Sequence, residues 1–298
     1  MLAATYREGM QLSFPLLATP KIDGIRGLII DGKLVSRSLK TIPNVQVRAM
    51  LEDILPEGAD GEIKCGTFQE TTSTVMSRNQ TPENLKFFWF DWAYDVSVPY
   101  EQRMKKVFMY WVMSFGDKEC SGPSASLGGA RFFPLMPETI YDMRQLKLFE
   151  QYVLNHDDYE GLVVRSPDGV YKSGRSTFSE GLMIKIKAYE DYEAIAIGTE
   201  ELMHNTNDAF LNNFGHLRRN SRKDGKVPGD TLGAIIVKTP ENIVFKIGTG
   251  YTAEERKTIW SHRDELIGRY IKYRCVATNK HDVPRSAVFL GVRSLDDM

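Results

Sequence analysis

The chain has 298 residues, 42% of them hydrophobic and 26% charged, with a formal net charge of −1. That is the balance of a globular protein with a sizeable core, and it excludes a disordered, collagenous or uniformly basic chain. No apolar run approaches the roughly 20 residues of a membrane span, and residues 1–7 lack a secretory signal pattern. The cysteines Cys65, Cys120 and Cys275 are widely spaced, with no Cys-x-x-Cys pair. They argue against a zinc ribbon or disulfide framework and for a reducing, intracellular setting.

Residues 1–20 are too few for a separate domain, so the first notable stretch, Lys21-Ile22-Asp23-Gly24-Ile25-Arg26, stands almost at the start. Apolar runs at 14–17 and 25–30 flank it, and Asp31-Gly32 between Leu28-Ile29-Ile30 and Leu34-Val35 signals a two-residue hairpin. Lys21 is therefore expected in a tight connection just before a hairpin, at the edge of a sheet. Gly24 would let a turn or a ligand approach the backbone. With an ordinary pKa of ~10.4, about one lysine in a thousand is neutral near pH 7.5. Burial or a nearby cation lowers that pKa and frees a lone pair able to attack a carbonyl or a phosphorus. Taken alone, the six residues fit a surface turn beside a salt bridge better than a reactive lysine.

After a polar, basic 36–40 stretch, Thr41 and Pro43 open a helix with Val47, Met50, Leu51, Ile54 and Leu55 at helical spacing, ended by Pro56 and Gly58. A strand follows over 59–65, carrying Asp60-Gly61-Glu62. A short helix spans 69–76, and an aromatic strand covers 85–93. Pro99 opens a helix striped by Met104, Val107, Phe108 and Trp111, a pattern that reads as a core face. The Gly/Ser-rich 116–130 stretch reads as a loop and 131–135 as a strand. Met143, Leu146, Phe149, Val153 and Leu154 mark another helix, and 161–165 and 182–187 are apolar strands.

Beyond residue 188 the texture changes. Strand-like runs at 192–197, 232–238, 243–247, 270–278 and 287–292 surround one helix over 252–266, begun by the capping box Thr252–Glu255. Five strands and one helix suggest a small barrel of the oligonucleotide-binding type. The expected boundary lies there, dividing residues 1–188 from 189–298. Residues 202–230 show no periodicity and exceed the usual length of a structureless loop. They hold Phe210 and Phe214 and the bases Arg218, Arg219, Arg222, Lys223 and Lys226, opposed by Asp224. Basic charge interleaved with aromatics suits contact with phosphates and bases.

Several scattered residues supply what a lysine–phosphorus reaction needs. Glu62 could accept a sugar hydroxyl, Phe90 offers a flat face for a base, and Glu160 opens a buried strand with the kind of oxygen ligand Mg²⁺ takes beside phosphates. Lys185 and Lys187, two apart in a strand, point to one face, where an anion would relieve their repulsion.

In this order, KIDGIR (21–26), SRS (36–38), DGEI (60–63), FWFD (88–91), EGLVVR (160–165) and MIKIK (183–187) resemble the motifs of the ATP-dependent DNA ligases. These belong to the covalent nucleotidyltransferase superfamily, with RNA ligases and mRNA capping enzymes. The resemblance covers nearly the whole chain and is nearest to the minimal ligases of DNA viruses and bacteriophages. It implies an α+β fold: an ATP-grasp-like nucleotidyltransferase domain of antiparallel sheets with helices, followed by an OB-fold β-barrel.

It further implies that Lys21 attacks the α-phosphorus of ATP to form lysyl-AMP, that AMP passes to the 5′-phosphate of a nick, and that the 3′-hydroxyl displaces it. By the same resemblance Asp23 serves nick sealing and the metal. Arg26 and Arg37 grip the nick, Glu62 holds the ribose, Phe90 stacks on adenine, and Glu160 serves Mg²⁺, for which Mn²⁺ can substitute. Lys185 and Lys187 neutralise the α-phosphate. Arg293, with Asp297, stands where the family's last motif orients pyrophosphate. Residues 202–230, with Arg218, Arg219, Arg222 and Lys223, occupy the place where some viral ligases carry a DNA-clasping latch. The expected partner is nicked duplex DNA, met by a monomer that needs no membrane or obligate protein partner, in the cytoplasm (the host's, if viral). An RNA ligase or capping enzyme is the alternative. An NAD-dependent ligase is disfavoured, since little chain precedes Lys21 to recognise nicotinamide.

Overall fold

The computed structural model describes residues 1–7, 9–115, 125–127, 129–156, 159–187, 189–213, 215–276, 283–284 and 286–293. The chain forms two compact units, Met1–Lys187 and Ala188–Met298. Among the described residues no helix is long and apolar enough to cross a membrane.

The first unit begins with β1 (Ala4–Thr5), β2 (Leu16–Ile22), β3 (Ile25–Ile30) and β4 (Lys33–Val35). β3 and β4 form the expected hairpin, and Asp31 and Gly32 both take positive φ, 51° and 67°, as a turn matched to strand twist requires. α1 (Val45–Glu52) starts later than Thr41, because the side chain of Asn44 accepts the Val47 N–H and caps it. β5 (Ala59–Lys64), α2 (Phe68–Met76), β6 (Lys86–Trp92) and α3 (Tyr100–Phe115) follow as expected. The stretch read as a loop contains a short strand, β7 (Ala125–Leu127), ahead of β8 (Ala130–Pro134). β9 (Glu138–Ile140) has no sequence signal, since three residues are too few to show alternation. α4 (Met143–Leu154), capped by Asp142, leads to β10 (Tyr159–Arg165) and β11 (Ile184–Ile186).

These strands make a six-stranded sheet, β4-β3-β5-β6-β8-β7, and a five-stranded sheet, β1-β11-β10-β2-β9. The six-stranded sheet packs Ile29, Ile63, Phe87, Trp89 and Phe132 into one core with Leu51 and Val107 of the helices. The five-stranded sheet buries Ala18, Leu162, Val164 and Ile184 against Leu146 and Val153 of α4. β2 belongs to one sheet and β3 to the other, so Asp23-Gly24 carries the chain across. Lys21 is the penultimate residue of β2, at that crossing rather than beyond the strand. Gly24 makes the crossing tight: a Cβ there would collide with the Ile63 carbonyl oxygen of β5.

The second unit contains β12 (Tyr189–Asn205), β13 (Ala209–Leu211), β14 (Leu217–Arg219), β15 (Lys226–Lys238), β16 (Val244–Ile247), α5 (Ala253–Ser261), β17 (Tyr270–Val276) and β18 (Val288–Val292). The capping box on α5 is present. The five longer strands pair in the order β16-β15-β12-β17-β18, and a bridge between Thr249 and Val288 brings the two edges together. Ile235, Val237, Ile247, Ile271, Tyr273 and Phe289 fill its core.

Residues 202–230 differ from expectation: β12 and β15 stay paired out to Asn205 and Lys226, and β13 and β14 form a small hairpin beyond them. The reason for the missing periodicity is exposure. Phe210, Leu211 and Leu217 are 50%, 66% and 74% exposed, so neither face is selected for apolar residues. Main-chain pairing carries the structure instead, helped by Asn205 and Asn207, whose amides donate to the Asn220 carbonyl at 2.7 and 3.3 Å.

Candidate active site

Three strand ends bring the central charges together. β2 and β10 are antiparallel neighbours with Tyr159 opposite Ile22, and β10 pairs with β11 through Leu162 and Ile186. Lys21, Glu160 and Lys187 therefore meet. The Lys21 ammonium donates to Glu160 Oε1, and the Lys187 ammonium donates to Glu160 Oε2 at 2.9 Å. The side chains are 24%, 11% and 15% exposed for Lys21, Glu160 and Lys187, open enough for a substrate to reach. Gly161 permits the approach. Its φ of +136° suits only glycine, and a Cβ would strike the Ile186 carbonyl oxygen.

Burial opposes ionisation of Glu160, but the Lys21 charge and the two lysine hydrogen bonds outweigh it and hold the carboxyl below its usual range. Glu62 has the opposite balance. Burial dominates over the attraction of Lys21 and Arg26 and pushes its carboxyl up to about 7. Burial also lowers Lys185, with Lys187, Lys21 and Arg175 repelling its charge. Arg175 is thus a further cation of the cluster that the sequence did not flag. A lone arginine in a glycine- and serine-rich connection carries no local signal.

Arg26 is turned away from its expected use. Its fork grips Asp60, Nε to Oδ1 at 2.8 Å and Nη2 to Oδ2 at 2.6 Å, while Nη2 also donates to the Tyr171 hydroxyl at 3.0 Å. Burial works against the Arg26 charge, and Asp60 overrides it and raises its pKa. A bidentate hold on a phosphate is therefore closed to Arg26 while Asp60 is in place. Phe90 is half-buried between two guanidiniums, Arg26 at 6.0 Å and Arg165 at 5.7 Å from the ring centre. Arg165 is itself tied to the fully buried Asp91, which also receives Arg103 Nε at 2.7 Å and Nη2 at 3.2 Å.

Asp23 lies partly buried in the β2–β3 crossing. Among the described residues no three His, Cys, Asp or Glu side chains gather into a metal cage. The donor set still suits Mg²⁺, which takes one or two carboxylates and completes its shell with substrate phosphates and water. Arg37 is exposed on the 36–40 turn, and among the described residues no hydrogen bond or ion pair ties it to the cluster.

The chain is 32% identical to the Chlorella virus DNA ligase-adenylate, covering 98% of each chain with a TM-score of 0.57. A second structure of that viral ligase-adenylate matches at 34% identity and a TM-score of 0.57, over 98% of this chain and 97% of that one. The chain belongs to the DNA ligase family. Lig E DNA ligases share the fold, with a TM-score of 0.68 at 23% identity over 98% of both chains. The DNA ligase OB-like domain model matches residues 224–293. Comparison with curated protein sequences gives no match. The ligase thus has the nucleotidyltransferase and OB-fold architecture expected from its motifs, with an OB sheet whose edges meet at one bridge.

In the OB unit of this ligase, Arg218 and Arg219 stand on β14, and Arg222 and Lys223 follow it, all four exposed. Arg219 donates to the Asn207 carbonyl. Arg293 follows β18, with its guanidinium on Glu193 Oε2 at 2.7 Å. Asp297, Phe214 and Cys120 lie outside the described residues; Cys65 and Cys275 are buried thiols.

Proposed function

We propose that this ligase is ATP-dependent and seals 3′-hydroxyl/5′-phosphate nicks in duplex DNA through a lysyl-AMP intermediate on Lys21. The observation that carries the reading is the meeting of Lys21, Glu160 and Lys187, with Glu62 close enough to feel the Lys21 charge. The relative solved as a ligase-adenylate supports the adenylate step.

In the first step Lys21 Nζ attacks the α-phosphorus of ATP, a P–N bond forms, and the bond to pyrophosphate breaks. Loss of the ammonium proton must precede attack, since only the neutral amine carries the lone pair. Lys185 and Lys187 offset the charge that builds on the α-phosphate, so catalysis is mainly positioning and charge stabilisation. Glu62, when ionised, accepts the ribose hydroxyls, and Phe90 stacks on adenine. Glu160, with Asp23 of the β2–β3 crossing, would hold Mg²⁺, which would supply charge neutralisation when bound. AMP then moves to the 5′-phosphate of the nick, and attack by the 3′-hydroxyl releases AMP. Arg37 and the remaining N–H of Arg26 face this nick chemistry, and Arg293 serves pyrophosphate. The bases Arg218, Arg219, Arg222 and Lys223 contact DNA phosphates along the projecting hairpin.

The test is incubation of purified protein with α-labelled ATP and Mg²⁺. An acid-labile AMP adduct is expected on the parent chain and none on Lys21→Ala, which also fails to seal unmodified nicks. A parent chain that forms no adduct, or a Lys21→Ala chain that keeps sealing, overturns the reading.

A further inference from the structure

Residues 1–5 enter the site through their backbone. The Leu2 N–H donates to the Gly174 carbonyl at 2.7 Å, and the Leu2 carbonyl accepts the Ser176 N–H at 2.8 Å. Farther along, Ala4 N–H donates to the Met183 carbonyl at 2.9 Å, and β1 runs parallel to β11 with Thr5 opposite Lys185. The segment is therefore stitched at several points to the connection and strand that carry Arg175 and Lys185.

Two of its carbonyls point at guanidiniums. The Ala3 carbonyl accepts from Arg175 Nη1 at 2.8 Å, and the Met1 carbonyl accepts from Arg26 Nη1 at 2.5 Å. Asp60 and the Tyr171 hydroxyl already occupy Nε and both hydrogens of Arg26 Nη2. An arginine has five N–H groups. With the Met1 carbonyl in place, a single N–H on Nη1 is left for a substrate, and its direction is fixed.

We propose that residues 1–5 form a positioning strap, whose Met1 carbonyl aims the one remaining N–H of Arg26 at the DNA nick. The inference rests on the ligase mechanism proposed above. The ladder to residues 174–176 and the Ala3–Arg175 bond anchor the strap, and the Met1 carbonyl is its working end. A main-chain carbonyl held by a ladder has no rotamers to lose, which suits a group that must orient a donor rather than bind substrate itself. No side chain of the strap is needed, so no motif could have announced it.

The experiment compares the full chain with one lacking residues 1 and 2, released from a carrier by proteolysis so that Ala3 keeps its place. Single-turnover sealing is measured on a nick that already bears 5′-AMP, alongside self-adenylation with labelled ATP and a thermal melt. The shortened chain is expected to self-adenylate within about twofold of the parent, yet to seal the adenylated nick at least about tenfold more slowly at saturating DNA. Arg26→Lys should then add less than about twofold in the shortened chain, because both changes act on one contact. Equal sealing rates, a proportionate loss of self-adenylation, or independent effects of the two changes overturn the strap. Should the shortened chain fail to fold, Leu2→Pro in the full chain removes the Leu2 N–H anchor and is judged by the same rates. The adenylated nick bypasses the ATP step. Failure of the parent to self-adenylate thus counts against the ATP mechanism, while sealing rates still decide the strap.

Discussion

Asp91 and Glu160 are both carboxylates held between two cations in the same unit, yet the two are finished differently. Asp91 is wholly buried and receives Arg103, Arg165 and the Trp92 N–H. Arg103 goes on to donate to the Gly169 carbonyl at 3.1 Å, and Arg165 lies 4.4 Å from the Tyr100 ring centre. Planar forks fill the oxygens of Asp91 and leave no opening for a substrate. Glu160 meets two lysines at a partly exposed surface. An ammonium is a point charge with three N–H groups, and Glu160 takes one from each. Donors therefore remain that incoming phosphate can use. A buried cluster whose carboxylate oxygens are filled by guanidiniums joins elements; a half-open one built on lysines can exchange partners.

Breaking each cluster should give opposite signatures. Asp91→Ala strands two buried guanidiniums and is expected to cost about 3–5 kcal/mol in urea unfolding. Glu160→Gln should change stability by about 1 kcal/mol or less, while lysyl-AMP formation falls about 100-fold or more. If Glu160→Gln were the more destabilising change, the distinction between the clusters would be lost.

A second contrast sets the Lys21–Glu160–Lys187 cluster against the exposed hairpin of the OB unit. Neutralising Arg218, Arg219, Arg222 and Lys223 together should weaken binding to nicked DNA and reduce its logarithmic salt slope by about 3 to 4. Self-adenylation should stay near the parent rate. An unchanged slope would remove phosphate contact from the hairpin.

The smallest effect sharpens the comparison within the pocket, where burial raises Glu62 and the lysines lower Glu160. Glu62 has a folded pKa of about 7, above its ordinary 4.5, so its carboxylate is populated only as pH rises through 7. ATP affinity, measured on a Lys21→Arg chain, which cannot be adenylated but keeps the positive charge beside Glu62, should fall about tenfold between pH 8 and pH 6. Glu62→Gln should flatten that profile. The stabilising neutral form of Glu62 is complete below the unfolded pKa and is lost as pH climbs through 7. Glu62→Gln should therefore be more stable than the parent at pH 8, by on the order of 2 kcal/mol. A pH-independent affinity in that Lys21 variant would place the ionisation elsewhere.

The meeting of Lys21, Glu160 and Lys187 was legible in the sequence as short ordered motifs. Lys21, Glu62, Phe90, Glu160 and Lys187 could be named because each sits beside a glycine, an aromatic run or an apolar strand. The layer behind them was not. Asp91 was in view beside Phe90, but its partner Arg103 is one of three bases on an amphipathic helix, a position that reads as solvated. Asp60 was in view beside Glu62, yet nothing local tells that Arg26, across β3 and β5, will spend its fork there. Those pairings come from strand register, which single-sequence patterns do not fix. The extended reach of β12 and β15 was hidden for another reason: exposure on both faces erases the alternation by which strands are recognised.

β12 and β15 run from the packed OB sheet out to Asn205 and Lys226, with the β13–β14 hairpin beyond them, while their register slips near Gly198, Glu201 and Met203. Such bulges curve a ribbon without severing it. The β12–β15 ribbon that carries the hairpin is therefore a cantilever whose root is the hydrophobic core itself. A push on its tip is borne by Ile235, Val237 and Ala196 rather than absorbed at a joint. Grasping a flexible polymer with such a lever would register as slowed amide exchange deep in the sheet, far from any contact.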